Sequence, residues 1–394
     1  MRNSPIAEYL LGIAYLKGIG TLKNESRALA WISDAAHLGF PRAQADYAEM
    51  LDFGIGTPEN PTEALVWYRK SADQGVAVAQ YVMGHNCEFG WRVPKDPQEA
   101  FSWYLKAATQ GERLSEVALG GHFASGVGIQ KDYSQARSWF DKADAQGELS
   151  ASVSIGDLYA SGEGVPQDST EAFRWYLKAA EGDNLTGQER VGEAYENGRG
   201  VTRDLSQALS WYHKAAVMGE PVSAMALGRL YSAGRRGDVA YDPSEAAAWY
   251  HRVAVLGDPQ ATLALAQLCP HASTSSAPEG CAYWYRAVAA SGDPRGLYAL
   301  GWMYEHGAGQ NDRPDKPAPD YGLAIQYYEA AARGGSKDAM AHLGCMYYEG
   351  VHVVQNQPLA LEWLEKSGAN LVATGFFGYD ECPFRETTRI EFSW

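Results

Sequence analysis

Pairs of glycines separated by one residue are the feature of this sequence most able to do chemistry. They recur at Gly18/Gly20, Gly54/Gly56, Gly126/Gly128, Gly162/Gly164, Gly198/Gly200 and Gly307/Gly309. Taken singly, each G-x-G could form a loop whose backbone N–H groups cradle a phosphate. A nucleotide fold, however, requires a buried strand before such a loop, and no buried strand is predicted before any of these pairs. The recurrence therefore predicts the turns of a repeat, and we expect no cofactor.

The other reactive residues do not form a catalytic or metal-binding motif. The sequence has no H-E-x-x-H, no G-x-S-x-G, no phosphate-binding loop and no C-x-x-C. Its nine histidines are scattered, and no two have the i, i+4 spacing of metal ligands on one helix. We therefore predict a protein without catalytic residues or a metal site.

A tryptophan repeated at intervals of 36 residues defines the elements that carry these side chains. Trp31, Trp67, Trp103, Trp139, Trp175 and Trp211 each stand in a close variant of W-Y-x-K-A-A. A fixed period of this length is the signature of a solenoid of stacked helical units. The spacing of apolar residues around each tryptophan predicts a buried helix, so we expect all six to belong to the core.

Each unit contains two helical patterns. The first reads A-x-x-x-[LIV]-G-x-x-Y-x-x-G, with its glycine at positions 84, 120, 156, 192 and 228. Glycine inside a helix costs roughly 1 kcal/mol relative to alanine, so the recurrence predicts close approach of the partner helix. The second pattern reads [DN]-x-x-[EQ]-A-x-x-W-[YF]-x-K-A-A, in which Asp or Asn caps the helix and Glu reaches back.

The template predicts about ten units. Their first helices are centred on Gly12, Ala48, Gly84, Gly120, Gly156, Gly192, Gly228, Ala266, Gly301 and Gly344. Residues 1–369 form the solenoid, and we expect 370–394 to cap its end, the alternative being a partner-binding tail. Repeat eight lacks the G-x-G turn, and repeat nine has a proline-rich insertion from Gly309 to Asp320. Both a binding role and tolerated surface drift remain open for these deviations.

These residues and motifs resemble the Sel1-like repeat family, a relative of the tetratricopeptide repeats, over about residues 6–369. The resemblance implies an all-α, right-handed superhelical solenoid of helix pairs. It also implies an adaptor or binding function without enzymatic activity. Members of the family include signalling scaffolds, secreted bacterial host-interaction proteins and immunity proteins that neutralise secreted lipase toxins.

The charge balance limits the class of partner. The chain carries 33 Lys and Arg against 48 Asp and Glu, a formal net charge of −15. Such a balance argues against binding to nucleic acid or to anionic lipid, and it favours a protein with basic patches. No run of about 18 apolar residues is present, so we expect no membrane insertion. We expect a cytoplasmic protein if Met1 is native and a periplasmic one if the chain is processed.

The five cysteines leave two alternatives open. Cys87 replaces the Tyr or Phe of the other repeats, which favours a small core residue. Cys269 and Cys281 bracket a loop and could form a disulfide, and Cys345 and Cys382 could form a second one. The alternative is five reduced thiols, since disulfides are rare in cytosolic proteins.

The concave face is where we expect a partner to bind. In the related tetratricopeptide geometry the first helix of each pair lines that face, so the residue after the glycine and those three and four further on point inward. The predicted protein-binding residues are Glu49, Asp52, His85, Glu88, Asp157, Glu193, Glu196, Arg229, Trp302, Glu305, His306 and Tyr348. Aromatic Phe53 and Phe89 share the same positions. Carboxylates with interspersed aromatic residues favour a basic, partly apolar segment of another protein.

Two functional hypotheses follow. The first is a bacterial immunity or inhibitor protein that sequesters a secreted effector such as a lipase toxin, since a long solenoid with an acidic inner face is enough to cover an enzyme. The alternative is an adaptor that assembles a signalling or envelope complex. The sequence offers no candidate residues for an enzyme.

Overall fold

The fold is a series of paired α-helices. The computed structural model describes residues 4–234, 239–268, 281–306 and 319–368. The helices of these segments are α1 (Pro5–Lys17), α2 (Glu25–His37), α3 (Pro41–Asp52), α4 (Pro61–Asp73), α5 (Ala77–Phe89), α6 (Pro97–Ala108), α7 (Arg113–Ser125), α8 (Tyr133–Ala145), α9 (Leu149–Ser161), α10 (Ser169–Glu181), α11 (Leu185–Asn197), α12 (Leu205–Val217), α13 (Pro221–Ala233), α14 (Pro243–Ala254), α15 (Pro259–Leu268), α16 (Cys281–Ala290), α17 (Pro294–Glu305), α18 (Tyr321–Arg333), α19 (Lys337–Glu349) and α20 (Gln357–Ser367).

The chain divides into two compact units, Met1–Trp211 and Tyr212–Trp394, with the boundary inside α12. In unit 1, each odd-numbered helix up to α9 packs most closely on the helix that follows it, and α13, α17 and α19 do the same in unit 2, whereas α15 packs more closely on α14 than on α16. The ten predicted first helices are the ten odd-numbered helices. The all-α helix-pair architecture is therefore confirmed.

In α4 and α6, the cap at the start of the second helix also holds the tryptophan. In α4, the Asn60 side chain accepts a hydrogen bond from the Glu63 backbone N–H, and its amide donates to the Glu63 carboxylate at 2.9 Å. The other carboxylate oxygen of Glu63 accepts from the indole N–H of Trp67 at 3.3 Å. Asp96 caps α6, and Trp103 donates to Glu99 at 3.1 Å. The capping glutamate thus serves the helix end and the indole together.

The repeated tryptophans are less buried than the sequence predicted. Trp67 and Trp103 belong to the core, at 7% and 5% exposure. The other four, Trp31, Trp139, Trp175 and Trp211, are only half-buried. The lysine three residues on covers several of these rings: the ammonium of Lys142 lies 3.6 Å from the Trp139 ring centre. One turn of helix brings that cation over the indole, which keeps part of each ring at the surface.

The tyrosine that follows the tryptophan reaches further into the core, and it explains the glycine of the first helix. A Cβ atom added to Gly156 would lie 2.5 Å from the ring of Tyr176, and one added to Gly228 would lie 2.6 Å from Tyr250. The same contact joins Gly84 to Tyr104. Close approach of the partner helix, the predicted reason for this glycine, is confirmed.

The G-x-G segments are turns between the two helices of a pair. Both glycines have positive φ, for example 68° at Gly54 and 73° at Gly56. A side chain at Gly56 would also lie 2.6 Å from the carbonyl oxygen of Glu25, at the start of the preceding α2. Glycine is therefore required there by conformation and by packing, as expected for a repeat turn.

The remaining predictions differ in how far the structure describes them. Cys87 is buried and free, as expected for a small core residue. Cys345 on α19 is disulfide-bonded, whereas Cys269 and Cys382 lie outside the described residues. Residues 370–394 and most of the insertion from Gly309 to Asp320 also lie outside them. Among the helices described, none combines the length and the apolar character that crossing a bilayer requires.

Candidate protein-binding surface

Several predicted binding carboxylates accept a hydrogen bond from a buried tyrosine of their own repeat. In unit 1, the hydroxyl of Tyr104 donates to Glu88 at 2.6 Å, and that of Tyr176 donates to Asp157 at 2.7 Å. In unit 2, Tyr328 donates to Glu305 at 2.6 Å. Each tyrosine lies on the second helix and each carboxylate on the first. The hydrogen bond therefore joins the two helices of a pair on the predicted inner face.

A basic side chain from the following repeat approaches the same carboxylates. The Nε2 atom of His122 lies 3.7 Å from Glu88, and Nε of Arg190 lies 3.6 Å from Asp157. In unit 2, Nε2 of His342 lies 3.1 Å from Glu305. We call each such set of three residues a tyrosine–carboxylate–base link. Each link spans two repeats. These carboxylates therefore stabilise the contact between neighbouring repeats in the absence of a partner.

Repeat two has a related contact. Nη1 of Arg92, in the turn after α5, lies 2.8 Å from the carboxylate of Asp52 at the end of α3. Arg92 has a φ of 61°, the left-handed conformation that glycine adopts at the same position in other repeats. The ion pair thus joins the turn of repeat three to the first helix of repeat two.

The links shift the pKa values of Tyr104 and Glu305. Burial, and then the hydrogen bond to Glu88, raise the pKa of Tyr104 far above its usual range. Burial alone would raise the pKa of Glu305, but the hydrogen bonds from His342 and Tyr328 outweigh it and leave the pKa below its ordinary value. The Glu305 carboxylate is therefore stabilised in its charged form and the Tyr104 hydroxyl in its neutral form.

A groove of about 850 Å³ lies in unit 1, where helices α9, α10 and α11 meet, and it includes residues of the predicted inner face. Its charged lining consists of Asp157, Glu163, Arg190, Glu193 and Arg199. Glu193 forms ion pairs with Arg199 at 2.8 Å and with Arg190 at 3.4 Å. The structure thus brings the predicted residues Asp157 and Glu193 together, but in a groove of mixed charge. The two arginines were not predicted, although the repeat register places Arg199 between the glycines of a G-x-G turn.

Glu196 is less accessible than the sequence analysis implied. Only 6% of it is exposed. It holds the position, four residues after the glycine, that Glu88 and Glu305 hold in their repeats. This position faces the neighbouring helix more than the solvent, so a partner would reach Glu193 more readily than Glu196.

Exposed aromatic rings form a second feature of unit 1. The ring of His85 lies 4.7 Å from that of Phe89 and 4.8 Å from that of Trp91. Phe89 and Trp91 are 52% and 57% exposed. We call these three residues the aromatic patch. Trp91 was not predicted, and the signal that could have found it is the replacement of G-x-G by Gly90-Trp91-Arg92 in repeat three.

The other predicted binding residues lie in unit 2. Arg229 is exposed on α13, and Tyr348 is half-buried on α19. At the end of α17, the ring of Trp302 stacks on that of His306, with 4.3 Å between centroids and 22° between planes. Within the described part of the chain, no three His, Cys, Asp or Glu side chains converge as metal ligands.

Comparison with known families identifies the repeat. The model of the Sel1 repeat matches nine times, at residues 5–40, 41–76, 77–112, 114–148, 149–184, 186–219, 221–258, 294–336 and 337–370. The gap between the seventh and eighth matches contains α15 and α16, which contact each other, although less extensively than the helices of the pairs on either side. The structure thus contains a helix pair that the family model does not match.

Solved structures with the same kind of repeat are similar to this chain. A Sel1 repeat protein from Oxalobacter formigenes is 30% identical, with a TM-score of 0.58, over 64% of this chain and 97% of that one. A protective antigen of uropathogenic Escherichia coli is 27% identical, with a TM-score of 0.48, over 94% and 86%. An immunity protein from Pseudomonas aeruginosa is 19% identical, with a TM-score of 0.37, over 55% and 82%. Among curated proteins, none matches the chain.

Proposed function

Since the chain belongs to the Sel1 repeat family, whose repeats generally serve protein interaction, we propose that it acts by binding another protein and catalyses no reaction itself. The observation that carries this proposal is the groove on α9, α10 and α11. Solenoids present extended surfaces of this kind, built from equivalent positions of successive repeats.

The chemistry of the groove favours a polar, extended segment of a partner. Its carboxylates and guanidinium groups come from successive repeats, so a strand-like or helical segment laid along it meets alternating charges. The side chain of Arg199 is 67% exposed, which leaves its donors accessible beside the ion pair with Glu193. Arginine and carboxylate groups at a groove rim give specificity and rapid association more than raw affinity.

The finer proposal is that the partner is a secreted effector, which the chain inhibits by covering it. A net charge of −15 favours a target with a basic surface. Inhibition needs no catalytic group, since covering about 1,600 Å² of total surface is enough for a specific, stable complex.

Capture of partners from the native cell tests both levels of the proposal. The full chain is used as bait at low and at high salt, and captured proteins are identified by mass spectrometry and assayed for enzymatic activity. We expect one secreted enzyme that is retained at both salt concentrations and inactive in the complex. Capture of regulatory or envelope proteins without an enzyme would replace the inhibitor with an adaptor. Failure to capture any specific protein would contradict the binding function.

Substitution of Arg199 then tests whether the groove is the site. We expect Arg199→Glu to weaken the captured complex about tenfold or more, since it reverses a charge at the groove rim and repels Glu193. Arg174→Glu is the matched control, because Arg174 is equally exposed, at 68%, and lies outside the groove lining. Equal affinities of the two variants would place the binding site elsewhere on the chain.

A further inference from the structure

The aromatic patch lies at the same repeat positions as the groove. Counting two repeats of 36 residues onward from His85, Phe89 and Trp91 leads to Asp157, Ser161 and Glu163. All three of those residues line the groove on α9, α10 and α11. Equivalent positions of stacked repeats share one face, and both features belong to unit 1. The patch is therefore part of the same inner face, two repeats closer to the N-terminus.

Trp91 differs from four other tryptophans of unit 1 in having no cation over its ring. Lysine ammonium groups lie 3.6–5.0 Å from the ring centres of Trp67, Trp103, Trp139 and Trp175. Among the described residues, no Lys or Arg takes that position at Trp91, whose ring meets only His85 and Phe89. Burial lowers the pKa of His85, which keeps that ring neutral. The patch is thus an uncharged aromatic surface open to solvent.

Negative charge accompanies the patch in the neighbouring repeat. Glu49 on α3 holds the position that His85 holds on α5, one repeat later. Arg92, next to Trp91, reaches α3 through its ion pair with Asp52, three residues beyond Glu49. Asp46 is paired with Arg42, whereas Glu49 forms no hydrogen bond or ion pair with the described residues. Burial and the carboxylate of Asp46 raise the pKa of Glu49, and the guanidinium of Arg42, which is paired with Asp46, only partly offsets them.

We propose that the aromatic patch binds an arginine side chain of the partner, with its guanidinium over Trp91 and Phe89 and Glu49 as its counter-ion. Arginine fits because its planar, weakly hydrated cation stacks on aromatic faces while its N–H groups remain available to a carboxylate. The arginine of the partner thus takes the position over the Trp91 ring that lysines of the chain itself take over the rings of those four tryptophans. This inference rests on the proposed function for the origin of the arginine, but the site itself can be tested without a partner.

The test is an NMR titration of the full chain labelled with ¹⁵N at its tryptophans. The indole signal of Trp91 is assigned by its loss in Trp91→Phe. N-acetyl-argininamide is added, with N-acetyl-lysinamide and the uncharged N-acetyl-norleucinamide as comparison probes. We expect a saturable shift of the Trp91 signal in the millimolar range with the arginine probe, a weaker one with lysine and none with norleucine.

Two variants locate the counter-ion. Glu49→Gln should weaken binding of the arginine probe about threefold, the size of effect typical of an exposed ion pair. Glu59→Gln, an exposed glutamate of the same repeat, should leave it unchanged. An unshifted Trp91 signal, or a shift as large with lysine or norleucine, would overturn the proposal. Because no partner is present, this outcome is independent of the capture experiment.

Discussion

Two neighbouring glycines on α7 show how closely the helices of a pair approach at a single residue. Gly120 faces α8, where a Cβ atom would collide with the ring of Phe140, whereas a Cβ atom on Gly121 would meet nothing within 4 Å. Both residues lie inside the same helix. Packing against α8 therefore requires glycine at position 120, whereas the space at position 121 would accept a side chain.

This difference predicts opposite effects of one substitution. Gly120→Ala should destabilise the protein by about 1–3 kcal/mol, because the Phe140 ring must shift in a packed core. Gly121→Ala should stabilise it by up to about 1 kcal/mol, because alanine favours the helix. Urea unfolding followed by circular dichroism measures both. Stabilisation by both substitutions would refute the packing explanation for the repeated glycine.

Arg92 gives a second prediction at this scale. Its left-handed backbone costs a non-glycine residue about 1–2 kcal/mol, and its partly exposed ion pair with Asp52 returns about 1 kcal/mol. Arg92→Gly removes both terms, whereas Arg92→Ala loses the ion pair and keeps the strain. We therefore expect the glycine variant to be more stable than the alanine variant by about 1 kcal/mol in thermal unfolding. Equal stability would mean that the turn relaxes around alanine.

At the scale of the helices, the tyrosine–carboxylate–base links were the part of the inner face that the sequence did not reveal. The 36-residue period was enough to place the first helices of repeats one to seven, and the helical pattern placed the last three, because the apolar residues that pack a pair recur in every repeat. The links join side chains 16 to 37 residues apart in sequence, such as Tyr104 with Glu88 and His342 with Glu305. Which side chains meet there depends on how far each helix is rotated against the next.

The pair α15–α16 is a repeat that the helical pattern of the sequence predicted and the family model does not match. Repeat eight was predicted from its remaining helical pattern, although it lacks the G-x-G turn and the family model does not match it. The structure shows the two helices packed together. Apolar positions such as Leu265 and Trp284, both buried, are enough to maintain the pair without the turn motif. The proposed binding site was less predictable, since Trp91 lies in a turn for which the repeat pattern predicts only a spacer between two helices.

The link at Glu305 makes unit 2 sensitive to acid. The folded-state pKa of Glu305 lies below its ordinary value of 4.5, so the link contributes fully above that value and is lost as the pH falls through the folded pKa. At pH 7, Glu305→Gln should cost about 1–2 kcal/mol, since it removes a hydrogen-bonded charge. We expect this difference in the free energy of unfolding to shrink between about pH 5 and pH 3, because the carboxylate becomes protonated over that range.

Urea midpoints of both proteins across this pH range provide the measurement. Glu362→Gln is the matched control, because Glu362 is a 57% exposed glutamate of unit 2 that pairs with Lys366 on its own helix. Its difference from the wild type should stay small at every pH. If the difference in urea midpoint between Glu305→Gln and the wild type stays constant or grows in acid, the Glu305 carboxylate is not held in its charged form.

At the scale of the whole molecule, the contacts are local in sequence. Each helix packs mainly on the helices immediately before and after it, and the chain resolves into two units. Stability in such an array is approximately a sum of the repeats and of the contacts between neighbours. Damage to one repeat should therefore remain near that repeat.

Hydrogen exchange of Gly120→Ala tests this locality. We expect faster exchange in α7 and α8 and in their neighbours α6 and α9, because the substitution disturbs the α7–α8 contact. Exchange in α17 to α20, within unit 2, should match that of the wild type. Faster exchange throughout the chain would mean that the protein opens as one cooperative body.

The turn between the helices of a pair has a consequence for how such proteins diversify. In unit 1, six turns begin with a glycine whose φ lies between 68° and 76°, and the next residue is Ile19, Ile55, Trp91, Val127, Glu163 or Arg199. One backbone thus carries six side chains of very different chemistry at the same place in successive copies. Duplication of a repeat adds another such position, and a single codon there can be rewritten without disturbing the scaffold. Exchange of Trp91 and Glu163 between their turns should therefore reorder what the inner face recognises while the melting temperature stays the same.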